Sequence, residues 1–344
     1  TKDRPTFKEA IRGRVITVDR GRWSVVVDEG TENERTLIAA RAKELRRTPI
    51  VTGDFVDVVG DTSGAKDTLA RIVRLGERTS VLRRSADDTD PSERVVVANA
   101  QQLVIVVAAA NPEPRTGFID RAVVAAVDAG IEPILCITKT DVRYPQHLLD
   151  YYAASGLKIV LSASSDGLAP SQDGAQGLES APVQELLQEL LGEVSVLLGH
   201  SGVGKSTLVN ALTGSDRATG HVNAVTGRGR HTSSSALALR PVERDGRPVP
   251  AGTWIIDTPG IRSFGLAHVP RETVVDAFVD LAPGAADCPK GCTHAAQAPD
   301  CGIEAYVAAG KAGPSGPERL ESLRKLLLLT PEEGDSEKEL GALA

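Results

Sequence analysis

The segment GHSGVGKST (199–207) has the residue types and spacing needed to hold a polyphosphate. Gly199, Gly204, Lys205 and Ser206 satisfy G-x-x-x-x-G-K-[ST], with His200, Ser201, Gly202 and Val203 between them and Thr207 following. Glycines in such a loop let backbone N–H groups turn inward around a β-phosphate, which also sits at the positive end of the following helix. Lys205 is expected to reach the β- and γ-phosphates, and the Ser206 hydroxyl to ligate Mg²⁺. An apolar strand before the loop and a helical segment after it give the motif its required context. Downstream, DTPG (257–260) follows the apolar WII. Asp257 there would hold Mg²⁺ through water, and the Gly260 N–H would meet the γ-phosphate, making the next residues a nucleotide-sensing switch.

The base is addressed by TKTD (138–141), which fits the guanine-reading pattern [NT]-K-x-D at a strand end. Asp141 would accept from both the ring N1–H and the exocyclic amine, a donor pair that adenine lacks, while the Lys139 stem lies along the base. Thr138 stands where Asn is usual, which is expected to weaken one supporting hydrogen bond, and Thr140 completes the segment. Ser162, Ala163 and Ser164, at the end of the next strand, resemble the short loop that backs the base from the other side. The order is therefore base-reading segment, backing loop, phosphate loop, DTPG. That is the order of a circularly permuted GTPase domain. Between the two phosphate motifs, TGRGRHTSSS (226–235) has the composition of a switch loop, with Thr232 the chosen Mg²⁺-sensing threonine and Thr226 the runner-up. Ile261 occupies the place where many GTPases carry a water-orienting Gln, so slow intrinsic hydrolysis is expected, helped by a group such as His231 or by a partner's surface.

A second chemistry is written in CPKGCTHAAQAPDC (288–301): Cys288, Cys292, His294 and Cys301, spaced C-x3-C-x-H-x6-C. Three thiolates and one imidazole form a closed tetrahedral set suited to a structural Zn²⁺ with no open catalytic position. Cys136, inside an apolar strand, is read as core.

The elements that must position these residues follow from periodicity. Residues 10–85 contain GRVITVDRGRWSVVVDEG, RTLIAA, GDFVDVVG and LARIVRL, short strands with apolar and polar positions alternating. They fit a small closed β-barrel, an OB-fold or an SH3-like alternative. The polar RRSADDTDPSERV (83–95) reads as a linker. From residue 96, buried strands (QLVIVVAAA, EPILCITKTD, LKIVLSAS, EVSVLLG and GTWIID) alternate with helices, which implies a mainly parallel, doubly wound sheet with its ligand at the carboxyl strand ends. GPERLESLRKLLLL (316–329) is an amphipathic helix, and the acidic residues after it lack the apolar content to order themselves. The expected division is a barrel over 1–85, a linker over 86–95, a permuted GTPase domain over 96–275 and a mostly helical zinc-binding domain over 276–344.

The chain has 344 residues, 41% apolar and 25% charged, with a net charge of −7. Residues 1–95 carry 19 basic against 17 acidic side chains and the remainder 20 against 29. The arginines of the barrel region come in groups (Arg12, Arg14, Arg20 and Arg22; Arg41, Lys43, Arg46 and Arg47; Arg83 and Arg84), as an RNA-binding face or a merely solvated surface would have. No run of about 18 apolar residues occurs and no secretion signal is evident, so a cytoplasmic protein without a membrane partner is expected.

Barrel, permuted motif order and cysteine cluster together resemble the small-ribosomal-subunit-dependent GTPase A family of bacteria (RsgA, or YjeQ). The resemblance covers nearly the whole chain. It implies an N-terminal OB-fold, a central permuted GTPase and a C-terminal zinc domain. It also implies a monomer that binds GTP and GDP, meets the 30S ribosomal subunit through 16S rRNA and ribosomal proteins late in assembly, and hydrolyses GTP when stimulated by it. The family's switch sequence G-[RK]-H-T-T-T matches GRGRHTSSS and supports Thr232. The departures are T-K-T-D for N-K-x-D and three rather than four residues between the first two cysteines. An alternative function is a guanine-nucleotide or alarmone sensor that binds the ribosome without productive turnover, as Ile261 would suit.

Overall fold

The computed structural model describes residues 9–85, 93–163, 181–215, 236–243, 248–258 and 264–330. Strands β1 (Ile11–Asp19), β2 (Arg22–Val27), β3 (Arg35–Arg41), β4 (Phe55–Gly60) and β5 (Ala70–Leu75) pair in the order β1-β2-β3-β5-β4, and β4 returns to β1 to close a barrel. Only the β3–β5 pair is parallel. This five-stranded closure is that of an OB-fold, which decides between the two barrel types left open by the sequence. Alternation sends Val15, Val25, Val27, Leu37, Val56, Val58 and Ile72 inward. Trp23 joins them and donates its indole N–H to the Ile50 carbonyl (3.1 Å), the partner that a buried indole needs. Buried Asp54 takes a two-pronged contact from Arg78 (2.7 and 2.8 Å).

β6 (Val81–Ser85) and β7 (Glu93–Ala98) follow as an antiparallel hairpin. The stretch 83–95, expected as a linker, is thus strand at both ends, while residues 86–92 lie outside the described residues. The polar middle of this stretch hides the signal of its flanks, where Leu82 and Val97 are buried. Gly53 of the barrel, at φ +92°, comes so close to the Ala98 carbonyl that a Cβ would lie 1.9 Å from it. Only glycine permits that approach.

The second layer system is a sheet of β8 (Gln102–Ala108), β9 (Glu132–Thr138), β10 (Lys158–Leu161), β11 (Val194–Gly199), β12 (Leu237–Leu239) and β13 (Trp254–Asp257). Its order is β10-β9-β8-β11-β13-β12, parallel throughout except that β12 runs against β13. Helices α1 (Thr116–Asp128) and α2 (Gln146–Tyr152) cover one face and α3 (Ala181–Leu190) and α4 (Lys205–Thr213) the other. Every residue of β8 is buried, as a central strand covered on both faces demands. Connections leave β8 toward β9 and β10 on one side and return to β11 on the other, which opens a crevice at the β8/β11 strand ends. β12 also pairs with β1 (Leu237 opposite Thr17), so barrel and α/β unit share one eleven-stranded sheet among the described residues.

Helices α5 (Arg271–Asp276), α6 (Gly302–Ala308) and α7 (Gly316–Leu327) bury Phe278, Leu281, Ile303, Leu320 and Leu323 among themselves. A buried ionic cluster clasps them to the α/β unit. Arg319 of α7 forks onto Asp280 (2.8 and 2.9 Å) and also donates to Asp120 of α1 (2.7 Å). Asp120 further accepts from the Tyr151 and Tyr152 hydroxyls (2.9 and 3.0 Å) and from Ser322 (2.5 Å). Burial pushes the Asp120 carboxyl up, and these donors, Arg319 foremost, pull it back. No helix among the described residues is long and apolar enough to cross a membrane.

Arg319→Met leaves two buried carboxylates without their counter-charge, and the expected loss of stability is about 3–5 kcal/mol. Faster amide exchange throughout α7 and a lowered melting temperature would report it. Unchanged exchange in α7 would contradict the clasp.

Candidate functional site

The parallel rows bring five strand ends to one edge of the sheet. Gly199 stands opposite Val106, Thr138 opposite Ala108, Leu161 opposite Ile137, and Asp257 opposite Leu197. The loops that follow must therefore meet. Gly202 (φ +83°) and Gly204 (φ +91°) give the phosphate loop its left-handed turns, and Gly204 caps α4. Val203 is buried, whereas Ser201 and Gly202 face solvent and Ser206 lies at the exposed first turn of the helix. His200 packs its ring on Phe118 at 4.2 Å.

Lys205 makes an ion pair with Asp257, the buried last residue of β13. The ammonium and the carboxylate thus share the floor of the crevice, with Ser206 beside Lys205 in sequence. A hydroxyl and a carboxylate oxygen are hard donors of the kind Mg²⁺ takes together with phosphate oxygens. Thr258 is tied down by its hydroxyl, which donates to the Leu197 carbonyl (2.7 Å).

Thr138 is 3% exposed, and its hydroxyl hydrogen-bonds the Val203 carbonyl of the phosphate loop, with the Val107 carbonyl also within reach (3.2 Å). Thr138, standing where Asn is usual, thus bonds directly to the phosphate loop. Lys139, at φ +57°, donates its ammonium to the Gly202 carbonyl (2.8 Å) and to the Asn111 carbonyl. The TKTD segment and the phosphate loop, more than 60 residues apart in the chain, are thereby fixed to each other. The Thr140 N–H donates to the Ser162 carbonyl (3.2 Å), joining the backing loop to the same assembly. Asp141 is exposed at the mouth, Ala163 is half-buried, and Ser162 is buried with its hydroxyl lacking a hydrogen-bond partner among the described residues. An unmatched buried hydroxyl beside this mouth is available to a ligand or to the Asp141 loop. Ser164, Thr226, His231, Thr232, Gly260 and Ile261 lie outside the described residues. The contribution of the segment between β8 and α1, whose Asn111 meets Lys139, was not anticipated. Its only sequence signal is the turn-forming NPEP that ends an apolar strand.

Some distance along the chain, Cys288, Cys292, His294 and Cys301 place their ligand atoms within 4.8 Å of one another. The His294 Nδ1 lies 3.6 Å from the Cys288 sulfur and 3.8 Å from that of Cys301. These are the separations of ligands around one tetrahedral ion, so the cluster could hold zinc. Burial, then Arg271 and Arg324, lowers the His294 pKa and keeps the imidazole neutral, the form that ligates. Burial and the neighbouring thiols push Cys292 up to about 11, a crowding of sulfurs that a shared cation relieves. Arg324 donates to the His294 carbonyl (3.0 Å) and Arg271 to that of Thr293 (3.0 Å), holding the loop from outside. Cys136 stays apart in β9, fully buried, its thiol pushed up to about 12 by desolvation.

An OB barrel, a doubly wound sheet with a late phosphate loop, and a Cys3His helical unit define a circularly permuted GTPase. A family model described as RsgA GTPase matches residues 75–267. The chain is 34% identical over 291 residues to the small ribosomal subunit biogenesis GTPase RsgA of Pseudomonas aeruginosa (strain LESB58), covering 82% of this chain and 76% of the relative. It is 31% identical over 322 residues to the protein of the same name from Gemmatimonas aurantiaca, covering 92% and 97%. Among solved structures, YjeQ from Thermotoga maritima superposes with a TM-score of 0.64 at 24% identity, over 92% of this chain and 99% of that one. YloQ, a circularly permuted GTPase, gives 0.64 at 21% identity, over 94% and 98%; these two likenesses speak for the fold. The chain belongs to the RsgA GTPase family and is a GTP hydrolase.

Replacing Cys301 by Ser opens the tetrahedral set. Purified wild-type chain is expected to carry stoichiometric zinc by elemental analysis, and the variant to lose most of it along with protease resistance of residues 264–330. Equal zinc in both would exclude Cys301 as a ligand.

Proposed function

We propose that this GTP hydrolase acts on the 30S ribosomal subunit late in its assembly, with turnover stimulated by the subunit. The observation that carries the reading is the bonding of Thr138 and Lys139 to the phosphate loop, which joins a guanine-selective segment to a phosphate cradle in one crevice. Support for the partner comes from the relatives' printed names. The working units are the barrel, the hairpin of β6 and β7 that follows it, the permuted GTPase unit and the zinc unit, in a cytoplasmic monomer.

In this reading Asp141 accepts from guanine N1–H and its amine, Lys139 lies along the ring, and Ser162, Ala163 and Ser164 back the base. Gly199 through Thr207 wrap the phosphates with backbone N–H groups. Lys205 exchanges the Asp257 carboxylate for phosphate oxygens, which frees Asp257, with Ser206 and Thr232, to face the metal. Mg²⁺, when bound with GTP, neutralises charge on the β- and γ-phosphates. Gly260 senses the γ-phosphate, and Ile261 cannot orient water, so a group brought by the subunit or by the switch must do so. Zinc on Cys288, Cys292, His294 and Cys301 serves only to shape the C-terminal unit.

Turnover measured with and without purified 30S subunits tests this directly: stimulation of at least about a hundredfold is expected, the lower end of the gain that one positioned group supplies. Unchanged turnover would favour the sensor of guanine nucleotide or alarmone instead. For the base, Asp141→Asn is expected to move preference from GDP to xanthosine diphosphate, because the amide donates where the carboxylate accepted. Retained guanine preference would show that another residue reads the base.

A further inference from the structure

The segment between β8 and α1 (residues 109–115) meets the TKTD turn and lies beside the phosphate loop. Its Asn111 carbonyl takes the Lys139 ammonium, and Pro112 lies 3.9 Å from the place a Gly202 Cβ would occupy. It is also held by Arg143, two residues beyond Asp141. Arg143 Nε donates to the Ala109 carbonyl (3.0 Å), its Nη2 donates to the same carbonyl, and the guanidinium forks onto both Glu113 oxygens (3.0 and 2.6 Å). Ala109 itself is buried and donates its N–H to the Thr138 carbonyl (2.8 Å), so Arg143 is anchored on a rigid strand end. Those bonds to Glu113 hold its carboxyl below the usual range, so it stays charged through neutral pH.

Between Lys139 and Arg143 the backbone makes a tight turn, the Val142 and Arg143 N–H groups both pointing at the Lys139 carbonyl (3.1 and 3.4 Å). Thr140 is pinned on the far side by Ser162. Asp141 therefore projects from a turn fastened at two ends, and Arg143 is the side chain that fastens the second. We propose that Arg143 is a positioning residue for guanine selection: braced on the Ala109 carbonyl and Glu113, it fixes the turn that presents Asp141. The inference rests on Asp141 as the base-reading carboxylate. Arg143 and Glu113 are half or more exposed (50% and 70%), and an exposed ion pair by itself adds little stability. Its effect falls on the order of the turn. A planar fork meets the carbonyl and both carboxylate oxygens in one fixed geometry, which a lysine ammonium, a point charge on a flexible stem, does not reproduce.

The test compares GDP with inosine diphosphate, which lacks the exocyclic amine and so offers Asp141 one donor instead of two. In the full-length chain, Arg143→Ala is expected to weaken GDP roughly tenfold and inosine diphosphate by about two- to threefold, because a loose carboxylate loses the paired contact first. The GDP preference thus shrinks several-fold. Arg143→Lys should fail to restore it, and Glu113→Gln, which keeps the Ala109 contact, should give a smaller shift in the same direction. Equal weakening of both nucleotides, or an unchanged ratio, would overturn the positioning role while leaving Asp141 in place. Asp141→Asn run beside these separates the two levels: if that variant keeps its guanine preference, the base-reading assignment has failed, and the role of Arg143 with it.

Discussion

The site depends on one constraint, the register of five parallel strands that end at a common edge. Hydrogen bonding sets Gly199 against Val106, Thr138 against Ala108 and Asp257 against Leu197, so each loop leaves the sheet at nearly the same height. Nothing in that constraint refers to the order in which the chain visits the strands. The chain can begin at β8, travel out to β10 and return to β11, and the loops still converge. A permuted order costs the site nothing while the strand rows are kept. The side chains then complete what the rows start: Thr138 and Lys139 bond across to the phosphate loop, and Lys205 reaches Asp257.

The same sheet carries the barrel. Leu237 of β12 is paired on one side with Asp257 and on the other with Thr17 of β1. One residue therefore separates the carboxylate at the crevice floor from the barrel wall. Around that row, Thr52 donates to the Ala236 carbonyl (2.8 Å), and the Trp254 indole donates to Glu29 (2.6 Å). Arg240 lies over the Trp254 ring at 4.4 Å and pairs with Glu34 (2.8 Å). A buried polar contact such as that of Thr52 with Ala236 is costly when broken, which makes the junction a definite arrangement rather than a loose tether.

At the other end, α1 does two tasks. Its inner face packs on the sheet, and Asp120 reaches outward to Arg319 and so to the helices around the Cys3His cluster. The cluster closes a short loop that has little apolar surface of its own, and Arg271 and Arg324 hold the backbone beside His294. A metal held there would stabilise shape, as a four-ligand set without an open position must.

By itself the sequence determined the chemistry-bearing segments and the class of fold. GHSGVGKST, TKTD and the cysteine cluster are local patterns whose spacing is the chemistry, and the β8, β9 and β11 strands are apolar runs too long to misread. It did not determine strand order, the short β12, or the hairpin flanking residues 86–92, because three residues of Leu-Ala-Leu or a polar stretch of sequence carry no periodicity. Nor could it show that Thr138 still reaches the phosphate loop, that Arg143 braces the Asp141 turn, or that Arg319 joins Asp120 and Asp280. Each of these depends on partners 30 to 200 residues away, such as Arg143 with Glu113 or Arg319 with Asp120, and only the closed sheet brings them within bonding distance.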